Sequence, residues 1–392
     1  MQPPPQIEQM RNAVVPKQRE RSVCDAAKSP RRCCSNQSRR CGRGGHSGCC
    51  TPAPQTPCPP ASLSLAGVYR TLASGIKAAA DASNPSILVA PGTYCETVLI
   101  EASVDISREG DEDVVVVGQG CHTVSAIAGT VKLKGITVQS TGTGPWSAVY
   151  AGGSVSLTLE SCSLQSLRGP AFVTASSAPC SASSKTSFSS GMSSGALMVA
   201  KASFTASDCV FLNCALSGVE ARVGSTATIT ASEMSNCRQS GVLSCDEGSS
   251  ITCSACTITN CLASGVRAEA YGSVTLDKCS IVRNQGNGCT ALDGGIVTAS
   301  AGTISSNAGH GVMVHAAAVN LSSLHVDFNA RHGVTATQES TVSLESVQLV
   351  NNSQKGLLLS PRSRAKAAEK EVVAKDVWWP MPNCGPKEVY VD

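Results

Sequence analysis

The sequence predicts an all-β fold, a parallel β-helix in which the chain winds about 23 residues per coil. Residues 195–356 repeat with this period, and a glycine followed by an apolar residue begins each unit. Within a unit, apolar and polar residues alternate in three short pieces, which predicts three strands and leaves no space for a helix of ten residues. Stacked identical units of this size indicate a solenoid in which each coil pairs with its two neighbours.

Two columns of the repeat predict how the bore and one corner are filled. The third strand of each unit contributes one large apolar residue, namely Phe211, Met234, Ile258, Ile281, Ile304, Val326 and Leu349. Four residues before each new glycine stands a cysteine or an asparagine, namely Cys214, Cys237, Cys261, Asn284, Asn307, Asn329 and Asn352. Stacked aliphatic side chains would fill the bore. Asparagine at a corner would bond to backbone groups and tolerate left-handed geometry, and a small cysteine would fill the same space.

These repeats resemble the right-handed parallel β-helix repeats of the pectin-lyase-like superfamily. The segment 87–100, which contains Pro-Gly-Thr-Tyr-Cys-Glu between two predicted strands, shows the same resemblance. It covers residues 68–360 and implies a right-handed single-stranded β-helix with short helical caps, for which we expect ten or eleven coils. The superfamily contains lyases, hydrolases, esterases and non-catalytic members, so the resemblance specifies the fold and not the function.

The segments around the repeats predict three further regions. Residues 1–60 are basic and rich in cysteine and proline without any hydrophobic period, which predicts a disordered tail. Residues 61–360 form the β-helix, with a short helix over 68–81 plugging its first coil and a flexible Ser-rich loop inserted at 176–194. Residues 361–392 are predicted to be a C-terminal cap helix and tail, in which Trp378 and Trp379 cover the end of the bore.

The N-terminal tail also bears on localisation and partners. No apolar segment follows Met1, so no secretory signal is expected and the sequence favours an intracellular, cytoplasmic protein. Organellar targeting by the Arg-rich tail is the alternative. Its seven cysteines include no Cys-x-x-Cys pair, which argues against zinc. It has no aromatic residue on which bases could stack, so no specific nucleic-acid binding is predicted.

Two short motifs match enzymes of this superfamily only in part. Gly309-His310-Gly311 resembles a polygalacturonase motif, but that family's aspartates and Arg-x-Lys pair are missing, and His332 occupies the same column one coil later. We therefore predict that His310 is structural and lies at a surface corner where its pKa needs no tuning. Val326-Asp327-Phe328 resembles a stretch of the pectin methylesterases without their other motifs, so Asp327 is predicted to be a solvated outward residue.

No catalytic residue, metal ligand or cofactor site is predicted. Hydrolysis of a glycosidic bond needs two carboxylates on one face about 5–10 Å apart, and calcium needs a cluster of oxygen ligands. The outward acids are spread over different strands and corners, with Glu269 and Asp277 on different faces; they are Glu220, Glu269, Asp277, Asp293, Asp327, Glu339 and Glu345. The stacked cysteines are predicted to be buried free thiols, because stacked parallel side chains are poorly oriented for disulfides.

The functional prediction is therefore a non-catalytic β-helix that binds a protein or a carbohydrate along one outer sheet face, with the face and the binding residues unassigned. A polysaccharide-active enzyme with a degenerate site is the first alternative. A substrate-recruiting adaptor similar to the F-box-linked β-helix proteins is the second, although residues 1–60 contain no F-box-like helical module. No run of 18 apolar residues exists, so no membrane span is predicted.

Overall fold

The computed structural model describes residues 69–80, 85–367, 372–374 and 377–378. The tail predicted over 1–60 lies outside these residues. The described chain contains one helix, α1 (Leu72–Ala79), followed by 39 short strands. No helix in this part of the chain is long and apolar enough to cross a membrane.

The strands follow one another in triplets, one triplet per coil. The first six coils contain β1 (Ser86–Val89), β2 (Gly92–Cys95), β3 (Val98–Ile100), β4 (Val104–Arg108), β5 (Val114–Gly118), β6 (Val124–Ala126), β7 (Thr130–Lys134), β8 (Ile136–Ser140), β9 (Val149–Gly153), β10 (Ser156–Glu160), β11 (Ser163–Ser166), β12 (Phe172–Ser176), β13 (Cys180–Ser183), β14 (Ser187–Ser190), β15 (Ala196–Met198), β16 (Ser203–Ser207), β17 (Val210–Leu212) and β18 (Val219–Ala221). The next four contain β19 (Thr226–Thr230), β20 (Glu233–Ser235), β21 (Val242–Cys245), β22 (Ser250–Ser254), β23 (Thr257–Thr259), β24 (Val266–Glu269), β25 (Ser273–Asp277), β26 (Ser280–Val282), β27 (Cys289–Leu292), β28 (Ile296–Ser300), β29 (Thr303–Ser305) and β30 (Val312–His315). The last three contain β31 (Ala318–Ser322), β32 (His325–Asp327), β33 (Val334–Thr337), β34 (Thr341–Glu345), β35 (Gln348–Val350), β36 (Leu357–Leu359), β37 (Arg364–Ala367), β38 (Val373–Ala374) and β39 (Val377–Trp378).

Every third strand belongs to the same sheet, which gives three parallel sheets of thirteen strands each. The first sheet begins with β1, the second with β2 and the third with β3, and all three end in the last coil. This confirms the predicted parallel β-helix with about 23 residues per coil. The coil number is thirteen rather than ten or eleven, because two segments predicted to be irregular or helical also form strands.

The predicted Ser-rich loop at 176–194 is the first of these segments, and the prediction was wrong. Residues 180–183 and 187–190 form β13 and β14, which pair in register with the coils on both sides. Cys180, Ala182 and Phe188 point inward and are 2% exposed or less, while serines occupy the alternate outward positions. Serine is also compatible with the solvated side of a strand. The high serine content therefore suggested a loop, although apolar residues alternate with the serines as in a strand.

The predicted C-terminal cap helix is the second segment, and it was also wrong over 361–367, 372–374 and 377–378. The remaining residues of 361–392, including Trp379, which was predicted to cover the end of the bore, lie outside the described residues. Arg364–Ala367 forms β37 on the first sheet, and Val373–Ala374 and Val377–Trp378 extend the other two sheets. The segment has good helix formers, but its alternation of exposed Arg364 and Lys366 with more buried alanines also suits a strand. Pairing with the open edge of β34 satisfies backbone groups that a separate helix would leave unpaired, and this outweighs helix propensity.

The predicted N-terminal helix is confirmed as α1. Its Leu72 and Ile76 side chains are buried against the first coil. The Thr71 hydroxyl accepts a hydrogen bond from the Ser74 backbone N–H at the helix start. The Glu96 carboxylate accepts bonds from the backbone N–H groups of Leu72 and Ala73, at 2.7 Å and 3.0 Å. These bonds anchor the helix to the strand region that it covers, because they satisfy amides that have no partner within the helix.

The bore is apolar along its length, as the inward columns predicted. Four of the five phenylalanines lie in it and are at most 1% exposed, namely Phe172, Phe188, Phe204 and Phe211. Phe188 and Phe211 stack with 4.6 Å between ring centroids. Such pairs contribute about 0.5–1.5 kcal/mol beyond the free energy of burying their area.

The asparagine column forms a buried hydrogen-bonded ladder. The Asn284 amide Nδ2 donates to Asn307 Oδ1 at 3.0 Å, and the Asn307 and Asn329 amides repeat this bond with the next coil. Each of these amides also donates to a backbone carbonyl, as Asn307 does to Ile281. The left-handed residue is the one before the ladder, for example Ser306 at φ 58° and Asn351 at φ 56°, and not the ladder asparagine as predicted.

Among the described residues, eleven buried cysteines have free thiols, and they include the stacked ones for which this was predicted; they are Cys162, Cys180, Cys209, Cys214, Cys237, Cys245, Cys253, Cys256, Cys261, Cys279 and Cys289. Cys214, Cys237 and Cys261 continue the asparagine column toward the N-terminal coils, and the Cys261 backbone N–H donates to Asn284 Oδ1 at 3.0 Å. Burial raises the pKa of Cys209 to about 12, so this thiol stays protonated.

Candidate functional site: the outer face of the third sheet

The third sheet presents an outward surface that is unusually enclosed. We call it the third-sheet face and define it by the outward residues of β9, β12, β15, β18, β21, β24, β27, β30 and β33, together with the corner residues that precede these strands. One outward column is almost continuously buried, with Tyr150, Val173, Leu197, Glu220, Leu243, Thr290 and Thr335 at 5–7% exposed. By contrast, the central outward column of the first sheet is exposed at Thr205, Thr228, Thr252 and Thr275.

An aromatic cluster lies at the N-terminal end of this face. The His122 imidazole stacks on the Tyr150 ring with 4.8 Å between centroids and contacts Trp146 edge-on at 5.3 Å. His122 Nδ1 accepts a hydrogen bond from the Ser147 backbone N–H at 3.0 Å, which leaves the ring proton on Nε2. Burial lowers the pKa of His122 to about 4, so the ring is uncharged at neutral pH.

The Tyr150 ring extends along its own strand and over Gly152. A β-carbon at position 152 would lie 2.6 Å from the Tyr150 Oη atom, so only glycine leaves space for the phenol. On its other side Tyr150 packs with Val173, Leu197 and Val199 in a small apolar cluster separate from the bore. This cluster continues the aromatic surface over the next two coils.

Two ion pairs follow in the middle of the face. Glu220 and Arg222 are two residues apart on the same side of the chain, and the Arg222 Nε donates to Glu220 Oε1. Two coils later Arg267 and Glu269 form the same pair in reversed order, with Arg267 Nε 2.7 Å from Glu269 Oε2. The strand register places Glu220, Leu243 and Arg267 in one column and Cys245 beside Glu269 in the other. Charges of opposite sign therefore alternate both along the strands and between the coils.

Serines at the corner before the third sheet complete this polar region. The Ser194 hydroxyl donates to the Glu220 carboxylate one coil later, and the Ser264 hydroxyl is 2.7 Å from that of Thr290 one coil later. Ser217 belongs to the same column but lies opposite the apolar Leu243. Its hydroxyl is buried and has no hydrogen-bond partner in the described structure.

Histidines occupy the C-terminal end of the same corner column. His310 stacks on His332 with 5.3 Å between centroids and 10° between planes, which confirms that the column determines the position of His310. The expectation of a surface histidine with an untuned pKa was wrong. His310 is half-buried, and burial, with smaller effects of His332 and Arg331, lowers its pKa to about 4.

The other predicted outward acids do not join this face. Asp277 and Glu345 lie on the first sheet, which confirms that Asp277 and Glu269 are on different faces. Asp327, predicted to be solvated, is half-buried on the second sheet, and one of its carboxylate oxygens has no hydrogen-bond partner among the described residues. In the part of the chain that the structure describes, no group of three or more His, Cys, Asp or Glu residues could hold a metal ion.

Sequence reasoning named Glu220 and Glu269 but missed the arginines and the aromatic cluster. The signal for the ion pairs was available, because Glu-x-Arg and Arg-x-Glu occur at the same position of their repeats. Residues two apart on a strand share a side, so each acid had a basic neighbour. The aromatic cluster had no comparable signal, since Trp146 lies in the irregular early coils outside the regular repeat.

The comparison with protein families decides the classification. The model described as a right-handed β-helix region matches residues 123–267 and 246–371, which is more than half of the chain. The chain belongs to the right-handed β-helix family. The resemblance noted in the sequence is thereby confirmed, and the handedness with it. No curated protein sequence matches this β-helix significantly.

Solved structures share this fold at low sequence identity. The periplasmic alginate epimerase AlgG is 12% identical over 71% of this chain and 79% of its own, with a TM-score of 0.50. The A-module of the mannuronan C-5 epimerase AlgE4 of Azotobacter vinelandii is 12% identical over 79% of this chain and 93% of its own, with a TM-score of 0.45. Tailspike protein 3 of bacteriophage CBA120 is 13% identical over 78% of this chain and 59% of its own, with a TM-score of 0.46. At 12–13% sequence identity, these similarities show a shared fold and nothing more.

Proposed function

We propose that this β-helix protein binds a polysaccharide along the third-sheet face and does not cleave it. The observation that carries the proposal is the continuity of this face from the His122–Tyr150 stack to the His310–His332 stack. These two stacks are separated by enough coils, at about 4.8 Å per coil, to make a surface tens of ångströms long. A surface of this length and shape fits an extended polymer better than a small molecule.

The composition of the face supports a sugar ligand. Sugar rings have apolar C–H faces and rims of hydroxyls, so they need aromatic or aliphatic surfaces together with precisely placed donors and acceptors. The partly exposed His122 and Trp146 rings, which pack around Tyr150, supply the first. The ion pairs and corner hydroxyls supply the second. The fold that this chain shares with AlgG, named as an alginate epimerase, favours a polysaccharide over an extended peptide.

The state of the carboxylates supports binding without cleavage. A glycosidase needs one carboxyl as a proton donor and a second as a base or nucleophile. On this face Glu220 is held by Arg222 and Ser194, and Glu269 is held by Arg267. Carboxylate oxygens engaged in this way are not free to contact a glycosidic oxygen or an anomeric carbon. A polysaccharide lyase or hydrolase is the competing proposal, and the same experiment separates the two.

The test is affinity gel electrophoresis of the full chain in gels containing single polysaccharides, with reducing ends assayed in parallel. We expect at least one polymer to retard the protein without release of reducing ends. Trp146→Ala should weaken the retardation at least several-fold. Phe328→Asn is the matched control, because it removes an exposed aromatic ring outside the face, at a corner position where Asn213, Asn236, Asn260 and Asn351 also occur. Loss of retardation in both variants, absence of retardation by every polymer, or turnover would overturn the proposal.

A further inference from the structure

We infer that the polysaccharide taken by the third-sheet face is uncharged, a glycan whose units present hydroxyls and no carboxylates. This inference rests on the proposed function and adds the chemical class of the ligand. It follows from how charge is distributed and paired on the face. The same reasoning predicts which substitutions would reverse the preference.

Charge on the face is balanced within a small area. Among the described outward strand residues of the third sheet from Tyr150 to Thr337, Asp, Glu, Lys and Arg occur at four positions, namely Glu220, Arg222, Arg267 and Glu269, which contribute two negative and two positive charges. The corner before β21 adds the positive charge of Arg238. Asp246 lies beside this group at the next corner, where its carboxylate accepts a bond from the Val223 backbone N–H at 3.2 Å. The middle of the face therefore offers no net positive charge to an anionic polymer.

A uronate carboxylate would have to compete for guanidinium groups that are already paired. The Glu220 side chain is only 6% exposed, and that of Arg222 is 39% exposed. A ligand carboxylate that took the paired N–H of Arg222 would leave the enclosed Glu220 without its ion-pair partner, which is strongly unfavourable. One that took an unused N–H of Arg222 would still lie close to the Glu220 carboxylate. A ligand carboxylate beside Arg222 or Arg267 would also approach Glu220 or Glu269, and like charges at close range oppose binding.

A neutral glycan avoids this competition. A sugar hydroxyl can accept from one of the guanidinium N–H groups that the ion pair leaves unused, and it can donate to a carboxylate oxygen. Hydrogen bonds to charged groups are stronger than neutral ones, so each ion pair becomes a donor and acceptor set for hydroxyls. Arg267 and Glu269 follow each other in the reverse order of Glu220 and Arg222. The same donors and acceptors therefore recur two coils later with the opposite orientation along the strand.

The two ends of the face present ring surfaces and ring N–H donors, and Arg331 beside His332 adds one positive charge at the C-terminal end. At the N-terminal end the His122, Trp146 and Tyr150 rings form an aromatic surface with no carboxylate among them. At the C-terminal end His310 Nδ1 accepts from the His332 backbone N–H and His332 Nδ1 accepts from that of Lys355. These bonds direct the Nε2–H of each ring away from the backbone. Such donors suit hydroxyl oxygens.

The test compares binding of the full chain to laminarin, mannan and xylan with binding to alginate and polygalacturonate, each with and without calcium. We expect at least one neutral polymer to bind at least tenfold more tightly than either uronate. Its affinity should change little with salt, because no net charge is neutralised on binding. Preference for a uronate would overturn the inference while leaving the proposed function intact. Failure of all five polymers to bind would overturn both.

A double variant provides the decisive comparison. Glu220→Gln with Glu269→Gln keeps the side-chain volumes and releases both arginines, so uronate binding should rise at least tenfold. Asp277→Asn with Glu345→Gln is the matched control, because it removes the same charge from the first sheet. The control should bind uronates as the wild type does. An equal gain in both double variants, or no gain in the first, would contradict the inference.

Discussion

The imidazole rings of His310 and His332 lie parallel in successive coils, and His310 Nδ1 accepts a hydrogen bond from the His332 backbone N–H at 3.3 Å. His332 Nδ1 repeats the bond with the Lys355 backbone N–H at 3.0 Å. A protonated imidazole carries hydrogen on both nitrogens and cannot accept such a bond. The stack thus belongs to the neutral form of both residues.

The histidine stack predicts a loss of stability in acid. The pKa of His310 is lowered from 6.5 to about 4 in the folded protein, and that of His332 is also lowered, in both cases mainly by burial. As the pH falls below 6.5, the unfolded chain therefore takes up protons that the folded chain does not. Above pH 6.5 this difference in proton uptake vanishes, so the histidine stack adds no pH dependence to the stability there. The proton uptake should lower the midpoint of thermal unfolding progressively between pH 6.5 and about 4.

A variant with asparagine at both positions isolates this effect. Asn287 precedes His310 in the column, and its Oδ1 accepts from the His310 backbone N–H at 2.8 Å, so asparagine can make the same bond without titrating. His310→Asn with His332→Asn should reduce the pH dependence of the midpoint. His325→Gln, at an exposed position in register with Gln348, should leave it as in the wild type. An unchanged pH dependence in the double variant would rule out this role for the stack.

The asparagine ladder predicts a strong dependence on side-chain chemistry. Asn307→Ala removes the oxygen that accepts hydrogen bonds from the Asn284 amide and the Asn284 backbone N–H. It also removes the hydrogen bond that Asn307 Nδ2 donates to the Ile281 carbonyl. Unpaired buried groups of this kind cost about 1–3 kcal/mol each. We expect the free energy of unfolding, measured by chemical denaturation, to fall by about 2–4 kcal/mol. Asn307→Cys should be better tolerated, since cysteine occupies this column in three earlier coils, and the opposite ranking would refute the account of the ladder.

Phe188 tests whether 176–194 is a regular coil. Its ring is fully buried and stacks on Phe211. Phe188→Ala should therefore destabilise the protein by about 3–5 kcal/mol, as other buried phenylalanine truncations do. Ser189→Ala changes the adjacent outward residue and should stay within about 0.5 kcal/mol of the wild type. Equal stability of the two variants would mean that this segment is a surface loop after all.

The sequence predicted the fold well where side chains of one column are alike. The column from Phe211 to Leu349 and the Cys-Asn column repeat with fixed spacing, so period and inward direction could be read from residues alone. The predictions for 176–194 and 364–367 were wrong for a common reason. Serines around Phe188 and alanines around Lys366 have weak preferences, and pairing with the neighbouring coil determined their structure.

The candidate site was less predictable because it depends on contacts between coils. Glu220 was identified as an outward acid, but its enclosure results from the neighbouring coils and from Ser194, which is 26 residues away. The stack of His122 on Tyr150 joins residues of two early coils that have no repeat in common with the later ones. Residue type and spacing predict which side of a strand a side chain faces. How far that side chain is buried depends on the neighbouring coils.

The central claim is that a polysaccharide lies along the third-sheet face, and hydroxyl-radical footprinting of the full chain tests it most directly. The chain would be labelled with and without the polymer that retards it in gels, and side-chain oxidation would be measured by mass spectrometry. The account predicts protection of Trp146 and Met313, which lie toward opposite ends of the face and are partly exposed, with no change at the exposed Phe328 and Val373. Protection confined to residues outside the third-sheet face, with Trp146 and Met313 unchanged, would contradict it.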